Sequence, residues 1–108
     1  MDFDDYDPNN FRGAFNRWGK RLIKFFDGAT IRARLDCSVE LSRPAAQAIA
    51  VPLLATFGDE AREFRFRQLV GHMISHLMKV LGYELDQPEV RIPDGDPFSR
   101  AARYRRKR

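Results

Sequence analysis

His72 and His76 stand four residues apart, the spacing that brings two imidazoles to one side of a helix and, in zinc proteases, onto one metal. Here Met73, Ile74 and Ser75 lie between them, so the glutamate that would activate a water is missing, and no third ligand follows at a metal-binding spacing. The pair reads as surface histidines, and neither a metal nor another cofactor is expected. Asp94 and Asp96 fall in Pro93-Asp94-Gly95-Asp96-Pro97, where Asp, Gly and Pro serve a turn rather than acid–base work. Cys37 is the sole cysteine, lacks an evident histidine partner and reads as a small buried apolar residue. There is no glycine-rich phosphate loop and no nucleophile elbow. No catalytic residue is expected, and the chain reads as a binding protein rather than an enzyme.

The chemistry that the side chains do suggest is recognition of phosphate and base edges. The formal net charge is +4, but its distribution says more than its total. Asp2, Asp4, Asp5 and Asp7 make the first residues acidic, whereas Arg100, Arg103, Arg105, Arg106, Lys107 and Arg108 give the end six positive charges and no negative one. Such a basic end gains affinity for nucleic acid by displacing condensed counterions. A second row, Arg65, Gln68, His72, Ser75, His76 and Lys79, falls on the polar side of a helical pattern. Arg and Gln can read purine edges in two-point fashion, while Lys and Ser mainly hold phosphate. The same row also fits the solvated face that any amphipathic helix must have, and the charged ends also fit solubilising tails.

The elements that must carry these groups follow from periodicity. Phe11, Phe15, Trp18, Leu22, Phe25 and Phe26 recur at helical spacing between residues 11 and 27, with Pro8, Asn9 and Asn10 as start signals and Asp27-Gly28 as the stop. From Thr30 to Ser42 apolar and polar residues alternate strictly, which predicts one long strand or two short ones. Ser42 then reads as an N-cap and Pro44 as the first turn of a helix to about Thr56, with Pro52 a point of kinking or early termination. A helix is predicted over 62–81, closed by Gly82, although its first turn, 63–67, also fits a short strand. Residues 83–85 and 89–92 predict a strand, 93–97 a turn and 98–104 a returning strand.

These elements predict a small single α+β domain, with helices packed on a short antiparallel sheet and a C-terminal hairpin. Residues 1–9 would be an acidic flexible arm, 10–104 the domain and 105–108 a basic tail. From Gln68 to Leu81, through Gly82-Tyr83 and the turn, to Arg100-Ala101-Ala102-Arg103-Tyr104-Arg105, the order resembles the last helix, wing and basic end of a winged helix-turn-helix domain. The resemblance covers roughly residues 30–108 and rests on pattern rather than on a diagnostic motif. It implies a helix in the major groove of DNA with the wing on the backbone, and a role in transcription regulation or as an accessory factor. Two features depart from that family: the alternating stretch is longer than its first strand, and the helix from 62 is longer than its recognition helix. Strand, helix, helix from Ile31 to Leu81 also follows the order of ribbon-helix-helix repressors, with Arg32 and Arg34 then facing DNA.

The aromatic stripe of the first helix opens a rival reading. Fully burying each large apolar group is worth about 1.5–3 kcal/mol, so the stripe must be covered by the domain, a second copy, another protein or a membrane surface. If Phe11, Phe15, Trp18 and Leu22 anchor a protein partner, the chain is a phage- or mobile-element-type interaction protein that docks on a larger protein or ribonucleoprotein and inhibits or adapts it. No apolar run approaches a membrane span, and the acidic start is unlike a signal leader. A cytoplasmic protein with no membrane partner is expected.

Overall fold

The alternation from Thr30 to Ser42 does not make a strand. In the computed structural model, which describes residues 12–92, 98 and 100–108, it forms a helix, α2 (Ala29–Glu40). A period of two sustained over this length also contains every fourth residue. Ile31, Leu35 and Val39 therefore share a helical stripe, joined by Ser38, and these four are buried. Ala33 and Cys37 belong to the same alternating set but face solvent, so Cys37 is an exposed thiol and not a core residue. Ala, Arg, Leu and Glu all favour the helix, and the stripe finds apolar partners in that conformation. The ribbon-helix-helix order, which needs a strand here, is absent, as is the first strand that a winged helix would place here.

Helix α1 (Arg12–Phe26) precedes α2 and buries Trp18, Leu22 and Phe26 at i, i+4 and i+8. The break predicted at Asp27-Gly28 is present, and Arg32 reinforces it: its Nε donates to the Phe26 carbonyl at 2.7 Å and its Nη2 lies 3.2 Å from Asp27. A basic group on the last carbonyls of a helix is the expected complement to its negative end. The start signals Pro8, Asn9 and Asn10, and the acidic arm, lie outside the described residues.

The turn after α2 uses Ser42 differently from an N-cap. Ser42 adopts φ 55°, its N–H donates to Val39 and the N–H of Arg43 donates to the Ser38 carbonyl. This closes α2 in the manner of a Schellman motif with serine in the left-handed position. Ser38 Oγ donates to the Arg43 carbonyl at 2.8 Å, which satisfies the buried hydroxyl. Pro44 is the N-cap of α3 (Ala45–Phe57), and that helix runs through Pro52 without ending there. A 3-10 turn (Gly58–Arg62) leads into α4 (Phe64–Val80), so residues 64–67 are helical, not a short strand. Gly82, at φ 92°, closes α4 in a conformation that glycine adopts without a Cβ penalty.

Strands β1 (Tyr83–Arg91) and β2 (Arg100–Arg106) form one antiparallel pair, with Tyr83 opposite Arg106 and Arg91 opposite Arg100. Register slips between Leu85 and Gln87 and again between Gln87 and Val90, so β1 carries extra residues at Asp86 and around Pro88. The predicted turn 93–97 lies outside the described residues. Arg105 and Arg106, expected in a tail, are the last residues of β2, and the Lys107 N–H still donates to the Gly82 carbonyl.

The result is an α+β single domain. Leu22, Phe26, Leu35, Ile49, Leu53, Phe66, Leu69, Met73 and Leu77 are all fully buried in one cluster drawn from all four helices. Trp18 meets Phe66 edge-on with ring centres 5.3 Å apart, and Phe57 meets Phe66 at 4.9 Å. The hairpin packs against α2, α3 and α4, and an isolated bridge links Pro44 to Arg103.

Candidate nucleic-acid interface

Helix α4 buries Phe66, Leu69, Val70, Met73, Ile74, Leu77 and Met78, which turns the expected polar row outward. Not all of that row is brought together. Gln68, His72, Ser75 and Lys79 line a groove between α4 and the hairpin, whereas Arg65 and His76 are not among its lining residues. The groove consists of two adjoining depressions of about 450 and 460 Å³ that share Ser75, Leu85 and Tyr104. Arg100 stands on the hairpin side of the first and Lys107 on the hairpin side of the second. The floor is more apolar than the sequence suggested, with Ile74, Pro88, Phe98, Ala101 and Ala102 contributing to it.

Two groups in the groove have displaced proton affinities. Burial, with a smaller push from the neighbouring His76, lowers the pKa of His72 below the usual imidazole value. At neutral pH His72 is therefore a hydrogen-bonding group rather than a cation. Burial raises the Tyr104 hydroxyl above its usual value, partly offset by a hydrogen bond with Ser75 that ties β2 to α4.

The basic end is largely occupied by the chain's own acids. Arg103 places Nε at 2.9 Å and Nη2 at 2.8 Å from Asp86 Oδ2, while Arg105 lies 3.0 Å from Glu84 and 3.6 Å from the other oxygen of Asp86. Arg100 pairs with Glu89 at 2.8 Å and Arg106 with Glu40 of α2 at 3.3 Å. Asp86 serves two arginines, standing between Glu84, the partner of Arg105, and Gln87, the partner of Arg103. Arg65, Lys79, Lys107 and Arg108 make no ion pair among the described residues.

The partner-anchor residues go elsewhere. Trp18 is 2% exposed and Leu22 fully buried, both covered by the chain's own core, while Phe15 is half-buried against that core and Phe11 lies outside the described residues. Trp18 and Leu22 thus offer no surface to a protein partner. Around Trp18 the indole N–H donates to Glu60 Oε2 at 2.6 Å, and the Arg17 guanidinium lies over its ring at 4.4 Å.

Sequence reasoning missed the countercharges and the groove floor. The signal for the first was present: Glu84 and Asp86 alternate as Arg103 and Arg105 do, the pattern of cross-strand pairs. The floor depends on the offset between hairpin and helix, which no local pattern encodes. Among the described residues, no group of three or more His, Cys, Asp or Glu side chains converges to hold a metal, and no helix is long and apolar enough to cross a membrane. Comparison with protein-family models, with curated proteins and with solved structures finds no match for the chain.

Proposed function

We propose that the protein binds nucleic acid, with duplex DNA as the form addressed, and acts in the cytoplasm as a regulator or accessory factor. The observation that carries this reading is that Gln68, His72, Ser75 and Lys79 of α4 face Arg100 and Lys107 of the hairpin across one open groove. Groups that can read base edges and groups that hold phosphate are thereby placed side by side, the helix supplying the first and the hairpin acting as a wing supplies the second.

The intramolecular ion pairs do not defeat the reading. The exposed pairs Arg100–Glu89, Arg105–Glu84 and Arg106–Glu40 contribute about 0–1 kcal/mol each, so exchanging those carboxylates for phosphate is nearly neutral, whereas the more buried Arg103–Asp86 pair is held more firmly. Most of the net electrostatic gain then comes from Lys79 and Lys107 in the groove and Arg108 beside it in the chain, which have no carboxylate to give up among the described residues. The rival, docking on a protein through the α1 stripe, has lost Trp18 and Leu22 to the core.

The experiment is fluorescence anisotropy of labelled duplex DNA titrated with the full chain at several salt concentrations. Binding that weakens steeply with salt, with Gln68→Ala changing the preference among sequences, supports the proposal. Negligible binding near physiological salt overturns it.

A further inference from the structure

Phe64, the first residue of α4, is 68% exposed, and among the described residues it is the one aromatic side chain left open to solvent. Every other described aromatic ring is buried or half-buried. Folding makes little use of this ring. It borders a shallow depression of about 200 Å³ whose other walls are Arg67, Gln68, Phe98 and Arg100. All four of those residues also line the groove between α4 and the hairpin, so the depression is the groove's open end.

We infer that Phe64 is a stacking platform for an unpaired nucleobase, so that the preferred ligand is a duplex carrying a single-stranded extension. The inference rests on the nucleic-acid reading and names the form of nucleic acid that the site takes. An exposed ring offers a face to any base, and the Arg100 guanidinium beside it can exchange its exposed Glu89 partner for the phosphate of a stacked nucleotide. Gln68 beside the ring carries both a donor and an acceptor for a base edge. A protein partner would need a wider apolar centre than one exposed ring and the edge of the buried Phe98 set among two arginines and a glutamine. A base-paired duplex presents no free base face along its length, so the ring has a ligand only where the strands part.

The test compares a blunt duplex with the same duplex bearing a short overhang, by anisotropy, and repeats the comparison with 2-aminopurine as the first unpaired base. The wild-type chain should favour the overhang, and 2-aminopurine fluorescence should fall on binding. Phe64→Ala should weaken overhang binding roughly 5- to 150-fold, the range that loss of one stacked base implies, while leaving blunt-duplex affinity unchanged. Phe64→Trp should retain the preference. Circular dichroism should show both variants folded, since the side chain is outside the core. Equal wild-type affinity for the two duplexes, or a preference that survives Phe64→Ala, overturns the inference while leaving nucleic-acid binding intact. Failure of either duplex to bind overturns both.

Discussion

The indole N–H of Trp18 donates to Glu60 at 2.6 Å across 42 residues of chain, fastening α1 to the 3-10 turn that precedes α4. Arg21 reaches the same carboxylate oxygen at 3.2 Å and also lies over the Phe57 ring at 4.7 Å. A carboxylate that accepts from an indole and an arginine is favoured in its charged form. The Trp18 hydrogen bond foremost, with Arg21, holds the Glu60 pKa below its ordinary 4.5.

That displacement fixes the sign of an acid effect. A carboxyl group with a lowered folded pKa contributes stability that is fully present above its unfolded value and is lost as pH falls through the folded one. Wild-type stability should therefore drop on acidification below pH 4.5 more steeply than that of Glu60→Gln, which keeps an acceptor for Trp18 but no charge. Urea unfolding followed by Trp18 fluorescence at a series of pH values measures the difference. Parallel curves for the two proteins would show that the contact carries no charge-dependent stability.

Asp86 competes with nucleic acid for Arg103 and Arg105 if those arginines are phosphate contacts. Asp86→Asn should then tighten duplex binding at low salt by at least about 5-fold, since Arg103 and Asp86 are only 28% and 26% exposed and such a pair is worth more than the ceiling of about 1 kcal/mol for exposed pairs. The cost to folding should be about 1–3 kcal/mol, the range for hydrogen bonds to a charged group that is partly buried. Anisotropy titration gives the first quantity and thermal unfolding the second. Unchanged affinity in a folded variant would place the two arginines outside the interface.

Lys107 and Arg108 are the basic-end residues without an ion pair among the described residues, and each should contribute a full phosphate contact. Replacing both by alanine keeps the backbone bond from Lys107 to Gly82 and should lower the slope of log affinity against log salt by about 1.8. The loss should be uniform across DNA sequences, because phosphate contacts carry no base information. A slope that does not move would show that this end does not touch the backbone.

Much of the fold was legible where one period was unambiguous. The spacing of Trp18, Leu22 and Phe26, the long stripe from Leu69 to Leu77 and the glycine at 82 each admitted one local solution, and each is found in place. The stretch 30–42 was not legible, because Ile31, Leu35 and Val39 satisfy a period of two and of four at once, and tertiary packing decides between them. The candidate site was half legible. Side-chain types on α4 follow from its wheel, but which of them face the hairpin depends on how β1 is offset by its irregularities, so Gln68 and Arg65 part company although both were expected together. Phe64 was hidden for a related reason. Its alternation with Phe66 suggested a strand, whereas in the helix one ring is buried and the other exposed.

The helical reading of 30–42 itself has a direct test, because strand and helix distribute the cost of substitution differently. In a strand Leu35 and Cys37 would lie on one face and both truncations would be costly. In α2 Leu35 is fully buried and Cys37 exposed, so Leu35→Ala should destabilise by about 2–5 kcal/mol while Cys37→Ala stays within about 0.5 kcal/mol. The thiol of the native protein should also react with a thiol-specific reagent without denaturant. A Cys37 that becomes reactive only on unfolding, together with a substitution cost comparable to that of Leu35, would restore the strand.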